Sequence, residues 1–361
     1  MPPSQRRIRV LVVEDSPTAR QLIVALLRDD GDFEVVGEAA NGVDAVAAAV
    51  QLAPDLITMD VHMPVMDGLD ATREIMRRAP TPIVIVSGTF SRDDVEAALT
   101  ATRAGALMVV PKPDSPTSGD FSLRRDEFLS MAKAMAAVRV VRRWRGARPT
   151  SASDRSTNGW PSAPHVAPRL VAIGTSTGGP AALYRILTDL PAEFPLPVVI
   201  VQHMAHGFID GLANWLSSNT GHRVVVGASG EVVLPNVAYI APDDQHMSVL
   251  QDGRIALSKI GPVNGFRPAI DQLFDGCARA FGGSLIAAIL TGMGQDGAAG
   301  LRTAYRGGAH VIAQDEASSV VFGMARTAIE DGVVSEILPL DAIGHRLAAL
   351  AARTTNGGAF Q

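Results

Sequence analysis

Leu170-Val171-Ala172-Ile173-Gly174-Thr175-Ser176-Thr177-Gly178-Gly179 decides how this chain is read. An apolar, β-rich run stops at a serine flanked by glycines, and a helical pattern opens at Pro180. Ser176 therefore stands on a strand-to-helix turn. The glycines let the backbone bend sharply and let a reacting group come close. The helix that follows turns its first N–H groups toward whatever the serine attacks. A serine so placed is a candidate acyl-transfer nucleophile.

The same alternation extends outward from this turn. Strands are predicted at Leu170–Ile173, Val198–Gln202, Val224–Gly227, Val237–Ile240, Leu285–Leu290 and His310–Ala313. Helices are predicted at Pro180–Asp189, Gly207–Ser217, Pro268–Phe281, Gly297–Arg306 and Met324–Glu330. Met247–Leu250 and Arg254–Leu257, joined by Gln251-Asp252-Gly253, read as a β-hairpin. Nearer the N-terminus, strands at Ile8–Val13, Phe33–Gly37, Leu56–Met59, Ile83–Val86 and Leu107–Val110 alternate with helices at Thr18–Arg28, Gly42–Leu52, Gly68–Arg78 and Arg92–Thr102. The expected class is α/β, with two doubly wound domains: a five-stranded parallel sheet, then a mostly parallel sheet carrying the hairpin. Asp120–Arg145 reads as a helix that becomes basic at Arg139, Arg142, Arg143, Arg145 and Arg148, and Pro149–Pro168 reads as a linker rich in Ser, Pro and Ala.

Composition narrows the function classes. The chain has 361 residues, room for two domains, and 47% of them are hydrophobic. A net charge of −5 gives no general pull toward nucleic acid or anionic membrane. The single cysteine, Cys277, excludes an internal disulfide framework and a cysteine-rich metal site. No apolar run reaches membrane-spanning length, so a cytoplasmic protein without membrane insertion is expected.

Four groups fall at strand ends of the first domain. Glu14-Asp15 follow the first strand, Asp60 the third and Lys112 the fifth, while Ser87 ends the fourth. Carboxylates gathered at one rim repel unless a cation sits among them, and a hard divalent ion such as Mg²⁺ suits oxygen ligands. One carboxylate can then attack a phosphoryl donor, with a lysine and a hydroxyl holding the new oxygens. Spaced over successive strands, with the stretch Asp60-Val61-His62-Met63-Pro64-Val65-Met66-Asp67-Gly68, these residues resemble the receiver domain of bacterial response regulators, which has a flavodoxin-like fold. The resemblance implies Asp60 as phosphoacceptor, Glu14 and Asp15 as metal-site acids, Ser87 as switch hydroxyl and Lys112 as phosphoryl-contacting cation. His62 stands where relatives often carry a carboxylate, and its backbone carbonyl is the group expected at the metal. Val109 stands where an aromatic is common.

In the second domain a base and an acid are needed for Ser176. His203 follows the strand Val198–Gln202 and so falls at the rim of Ser176. His310 begins a strand and belongs at the opposite rim, while His206, His222, His246 and His345 have less informative settings. Asp296, in Leu290-Thr291-Gly292-Met293-Gly294-Gln295-Asp296-Gly297, again follows a strand and opens a helix, where it could equally be a cap. Asp315 and Glu316 are rival acids. The glycines around Met293 permit a backbone nest for an oxyanion. Gly174-x-Ser176-x-Gly178 also fits the α/β-hydrolase elbow, but the order Ser176, His203, Asp296 differs from that family's.

These segments, with Asn264-Gly265-Phe266-Arg267-Pro268 and Gln314-Asp315-Glu316-Ala317-Ser318-Ser319-Val320-Val321-Phe322-Gly323-Met324, resemble the protein-glutamate methylesterases (CheB). Thr175, Phe266 and Ala325 depart from that family's usual residues. The resemblance implies a receiver at 7–130, a helical extension and flexible linker at 131–168, and a methylesterase domain at 169–353. It implies hydrolysis of glutamyl methyl esters and deamidation of glutamines on methyl-accepting chemoreceptors, with a CheA-like histidine kinase as phosphodonor. It needs Mg²⁺ for receiver phosphorylation and no cofactor for ester hydrolysis. Backbone N–H groups near Thr177 and Met293 are candidates for the oxyanion hole, and Arg267 for positioning the receptor helix. A receiver lying over the catalytic rim, a monomer and no nucleic-acid partner are expected. The rival readings are a serine hydrolase with another substrate, a non-catalytic adaptor and a DNA-binding regulator.

Overall fold

The structure is a computed structural model and describes residues 6–88, 92–113, 121–138 and 166–352. The chain divides into two compact units, residues 1–147 and 148–361. The basic cluster Arg139–Arg148 and the linker up to residue 165 lie outside the described residues.

In the first unit the strands are β1 Ile8–Val13, β2 Phe33–Ala39, β3 Leu56–Met59, β4 Ile83–Ser87 and β5 Met108–Pro111. The helices are α1 Pro17–Asp30, α2 Gly42–Leu52, α3 Gly68–Arg78, α4 Arg92–Ala104 and α5 Phe121–Ala136. Strand order is β2-β1-β3-β4-β5, all parallel. The helices start where the sequence offers caps. Ser16, Asn41 and Asp67 each accept a first-turn N–H of α1, α2 and α3. Helix α5 crosses the boundary expected at residue 130 and is tied to the first unit by Arg125–Asp29 at 3.1 Å and Lys133–Asp30 at 2.7 Å.

The second unit contains β6 Leu170–Thr175, β7 Val198–Gln202, β8 Arg223–Val226, β9 Val237–Ile240, β10 His246–Val249, β11 Ile255–Ser258, β12 Leu285–Ile289, β13 His310–Gln314 and β14 Glu336–Leu338. Its helices are α6 Gly179–Asp189, α7 Ile209–Thr220, α8 Ile270–Phe281, α9 Ala298–Arg306, α10 Met324–Glu330 and α11 Leu340–Ala351. Seven strands form one sheet, β14-β13-β12-β6-β7-β9-β8, in which every pairing is parallel. The hairpin β10–β11 forms a separate antiparallel pair. Strands β6, β7, β12 and β13 are buried along their whole length, which is why they read as continuous apolar runs with no alternation.

Strand order reverses at β6: the chain proceeds to β7 on one side, while β12 lies on the other. The crevice above the carboxyl ends of β6 and β12 is the topological switch point, where open α/β sheets bind ligands.

Two elements are not among those expected from sequence. Strand β14 has three residues at the sheet edge, and α11 starts after Pro339 with no side-chain cap. Both are held by tertiary contacts. Glu336 of β14 pairs with Arg346 of α11 (Nε to Oε2, 2.8 Å) and with His310 of β13 at 3.0 Å.

Candidate active site

Three loops meet at the switch point. Ser176 follows β6 directly, and its N–H donates to Thr291 O at 3.0 Å. The Thr291 hydroxyl donates to Thr177 O at 2.9 Å, and its N–H donates to Gln314 Oε1 at 2.9 Å. The loop after β12 is thereby tied to the loop after β6. Gln202, the last residue of β7, donates through Nε2 to Ser176 O at 2.8 Å and to His203 O at 2.7 Å. The His203 N–H donates to Thr175 O at 3.0 Å. Backbone bonds therefore hold Ser176 and His203 side by side at the ends of neighbouring strands.

His203 and Asp296 meet through side chains. Nε2 lies 2.9 Å from Asp296 Oδ2, off the axis of a straight hydrogen bond. His203 Nδ1 is buried and has no hydrogen-bond partner among the described residues. With Nε2 turned to the acid, Nδ1 is the ring nitrogen that remains as a base.

Asp296 is buried and held from several sides. Oδ2 accepts the Ile270 N–H at 2.7 Å, and Oδ1 accepts those of Asp271 at 3.1 Å and Gly297 at 3.0 Å. Burial works to raise its pKa, but His203 and the Ile270 and Asp271 amides outweigh burial and leave the group below the ordinary carboxylate value. The capping alternative thus has an unexpected form. Asp296 sits at the start of α8, a helix 26 residues earlier in the chain, as well as beside its own helix α9. The positive end of α8 favours the anion. No local sequence signal announces this, because cap and helix come from distant segments.

Sequence alone assigns Asn264 and Asp271 no role of their own. Asn264 Nδ2 donates to Asp271 Oδ2 at 2.7 Å and to Asp296 Oδ1 at 3.3 Å. Asp271 Oδ1 accepts the Gly300 N–H at 2.8 Å. Burial, with Asp296 nearby, raises the Asp271 pKa.

The rival acids and the other histidines are placed elsewhere. The rival acid Asp315 accepts from the Ser318 N–H and hydroxyl, and Glu316 pairs with Arg326 at 3.7 Å. His310 pairs with Glu336 at the far end of the sheet. His222 bonds Asn236, and His246 receives the Ala269 N–H. His206 is exposed beside Asp244, and His345 is exposed on α11. Arg267 lies 3.6 Å from Asp244. Among the described residues, the Thr177 and Met293 amides donate to no backbone or side-chain acceptor. The Met293 side chain is 53% exposed.

In the first unit, Lys112 Nζ lies 2.9 Å from Asp60 Oδ2 and 3.0 Å from Glu14 Oε1. Asp60 Oδ1 accepts the Val61 N–H at 2.7 Å. Glu14, Asp15 and Asp60 each offer a carboxylate oxygen, and these lie within 4.8 Å of one another. Burial and the Asp60 charge raise the Glu14 pKa, although Lys112 opposes them. Burial works to lower the Lys112 pKa, but bonds to Glu14 and Asp60 prevail and raise it. Three carboxylates against one lysine leave negative charge in excess, and three hard oxygen donors fit a divalent cation. Ser87 is buried at the end of β4, Val109 is buried in β5, and His62 is exposed in the loop after Asp60.

Residues 171–347 match the family model described as CheB methylesterase, and residues 10–118 match the response regulator receiver domain. A Myxococcus xanthus protein named protein-glutamate methylesterase/protein-glutamine glutaminase 4 is 47% identical over 340 residues, covering 94% of this chain and 96% of its own length. A Nitrosospira multiformis protein named protein-glutamate methylesterase/protein-glutamine glutaminase is 44% identical over 349 residues, covering 96% and 97%. A Syntrophus aciditrophicus relative of the same name, numbered 1, is 44% identical over 346 residues, covering 95% and 98%. With likeness of this degree running through both units, the chain belongs to the protein-glutamate methylesterase family, in which a receiver precedes a CheB methylesterase domain.

Proposed function

We propose that Ser176, His203 and Asp296 carry out the hydrolysis of glutamyl methyl esters on methyl-accepting chemoreceptors, under control of phosphorylation at Asp60. The pairing of His203 with Asp296 at 2.9 Å, beside the serine turn at the switch point, carries this reading. Ser176 Oγ attacks the ester carbonyl while His203 Nδ1 takes its proton. Asp296, kept anionic by α8, stabilises the resulting imidazolium. The Thr177 and Met293 N–H groups receive the oxyanion, and each such donor is worth about 2.7–4 kcal/mol in the barrier. His203 returns the proton to the departing methoxy oxygen, and methanol leaves. Water then attacks the acyl-serine with His203 again as base, which restores Ser176 and frees a glutamate carboxylate. A glutamine side chain loses ammonia by the same steps. Arg267, at the rim, positions the acidic receptor surface.

In the first unit Asp60 receives the phosphoryl group from a histidine kinase. Glu14, Asp15, Asp60 and the His62 backbone carbonyl would hold Mg²⁺, which supplies charge neutralisation during transfer. Lys112 and Ser87 hold the oxygens of the modified Asp60. The domain division proposed is a receiver from residue 7 through α5, a linker up to 168 and a methylesterase domain at 169–353, in a monomer that acts in the cytoplasm. Among the described residues no helix is long and apolar enough to cross a membrane.

Methanol release from a methylated receptor fragment, with and without a small acyl phosphate donor, tests the reading. Wild type is expected to release methanol faster with donor, Asp60→Asn to ignore the donor, and Ser176→Ala to release none. Release by Ser176→Ala at the wild-type rate would overturn it.

A further inference from the structure

The turn Val263-Asn264-Gly265-Phe266 touches both the base and the acid, yet none of the steps above uses it. Val263 and Phe266 exchange backbone hydrogen bonds, N to O at 3.0 Å and 2.9 Å. The two residues between them have positive φ, 53° at Asn264 and 84° at Gly265. This is a two-residue reverse turn of the type that Asn-Gly favours, because both positions need the left-handed region. Its tightness fixes where the flanking side chains go.

Two of those side chains reach the same pair from different sides. Asn264 Nδ2 donates to Asp296 Oδ1 at 3.3 Å while anchored at 2.7 Å on Asp271. Phe266 lies flat on the His203 imidazole, with ring centroids 3.9 Å apart and planes 4° from parallel. Phe266 is 38% exposed, whereas the His203 side chain is 7% exposed. An aromatic ring left this open to water is not a core residue. It covers the imidazole.

The imidazole needs such a cover. Its outer torsion, a bond to a planar ring, has broad and roughly two-fold minima. Asp296 anchors it at one edge only, through a contact off the straight hydrogen-bond axis. A half-turn of the ring would exchange Nδ1 for a carbon and remove the base. A parallel ring at 3.9 Å blocks the swing that such a half-turn requires and excludes water from one face.

We propose that the Val263–Phe266 turn is a clamp on the base–acid pair, in which Phe266 is a positioning residue that holds the plane of His203 and Asn264 holds the carboxylate of Asp296. The inference rests on the esterase reading of Ser176, His203 and Asp296.

The test uses the full chain and a methylated receptor fragment, with kcat and KM measured separately for wild type, Ser176→Ala and three variants of Phe266. Phe266→Leu keeps apolar bulk and loses the flat face. It is expected to lower kcat about ten- to a hundredfold, as misplacement of a catalytic group does. KM should stay within about twofold, since ground-state binding is untouched. Phe266→Tyr and Phe266→Trp keep a flat face and are expected to hold kcat within about threefold of wild type. The ring nitrogen signals of His203 by NMR should report one ring state in wild type and Phe266→Tyr, and exchange between states in Phe266→Leu. Should Phe266→Leu not fold, Phe266→Met makes the same comparison. An unchanged kcat in the Leu variant, a loss confined to KM, or Tyr and Trp variants as slow as Leu would each overturn the clamp. Hydrolysis by Ser176→Ala at the wild-type rate would overturn the esterase reading and the clamp together. An inactive Ser176→Ala beside a fully active Phe266→Leu would overturn the clamp alone.

Discussion

Gly292 stands so close to Ser176 that a β-carbon at residue 292 would lie 2.7 Å from the serine's own β-carbon and 2.4 Å from the Met324 methyl. The strand-to-helix turn that presents the serine and the loop that leads to Asp296 therefore approach closely only because this residue has no side chain. The consequence is a substitution that acts on position with little change in chemistry. Gly292→Ala must displace Ser176, Met324 or both. It is expected to lower kcat for ester hydrolysis at least about tenfold, with a loss of about 1–3 kcal/mol in stability from overpacking. Steady-state kinetics and thermal unfolding of the same preparation separate the two effects.

Asp296 serves two structures at once, and its two nearest replacements should split them. Asp296→Asn keeps an oxygen for the α8 amides and loses the charge opposite His203. Its kcat is expected to fall about 10⁴-fold, as when a triad acid becomes an amide. Asp296→Ala should lose as much activity and a further ~1 kcal/mol of stability, since the start of α8 is then uncapped. Melting curves for the two variants, compared at one pH, provide the check.

The Glu336 cluster ties β14 and α11 to the sheet, and its strength depends on pH. Burial works to raise the Glu336 pKa, yet His310 and Arg346 hold it at about 2 against an ordinary 4.5. A carboxyl depressed on folding stabilises fully above its unfolded value and loses that contribution as pH falls through its folded value. The anchoring of α11 should therefore be complete above pH 4.5 and fade as pH drops toward about 2. Hydrogen exchange at α11 amides is expected to accelerate over that window in wild type. In Glu336→Gln it should be faster at neutral pH and less responsive to acid.

Lys112 bridges Glu14 and Asp60, so its loss leaves buried like charges facing each other. Lys112→Met is expected to abolish the response of methanol release to an acyl phosphate donor while leaving donor-free release near the wild-type rate. A donor response as large as wild type's would show that the lysine has no part in signalling from Asp60.

Much of the fold was legible because its signals are local. The runs Ile8–Val13, Leu56–Met59, Val198–Gln202 and Val237–Ile240 coincide with strands, and Gly42–Leu52, Gly68–Arg78 and Met324–Glu330 with helices, to the residue. Each has its own apolar pattern, and two, Gly42–Leu52 and Gly68–Arg78, have a capping side chain beside them. Strand β14 and helix α11 were not legible. A three-residue edge strand has almost no pattern; α11 has an apolar pattern at Ile343, Leu347 and Leu350 but, like α10, no capping side chain to mark its start.

The sequence by itself determined that Ser176, His203 and the loop holding Asp296 follow strands, and so fall on one rim of a parallel sheet. Those facts depend on residues within a few positions of each group. The tertiary structure alone decided that β6 lies between β7 and β12, which brings together groups up to 120 residues apart. It also decided that Asp296 caps a helix not its own, that His203 turns Nε2 to the acid, and that Phe266 covers the ring. Such relations follow from strand order and the close approach of distant loops, and no local stretch of chain contains both partners.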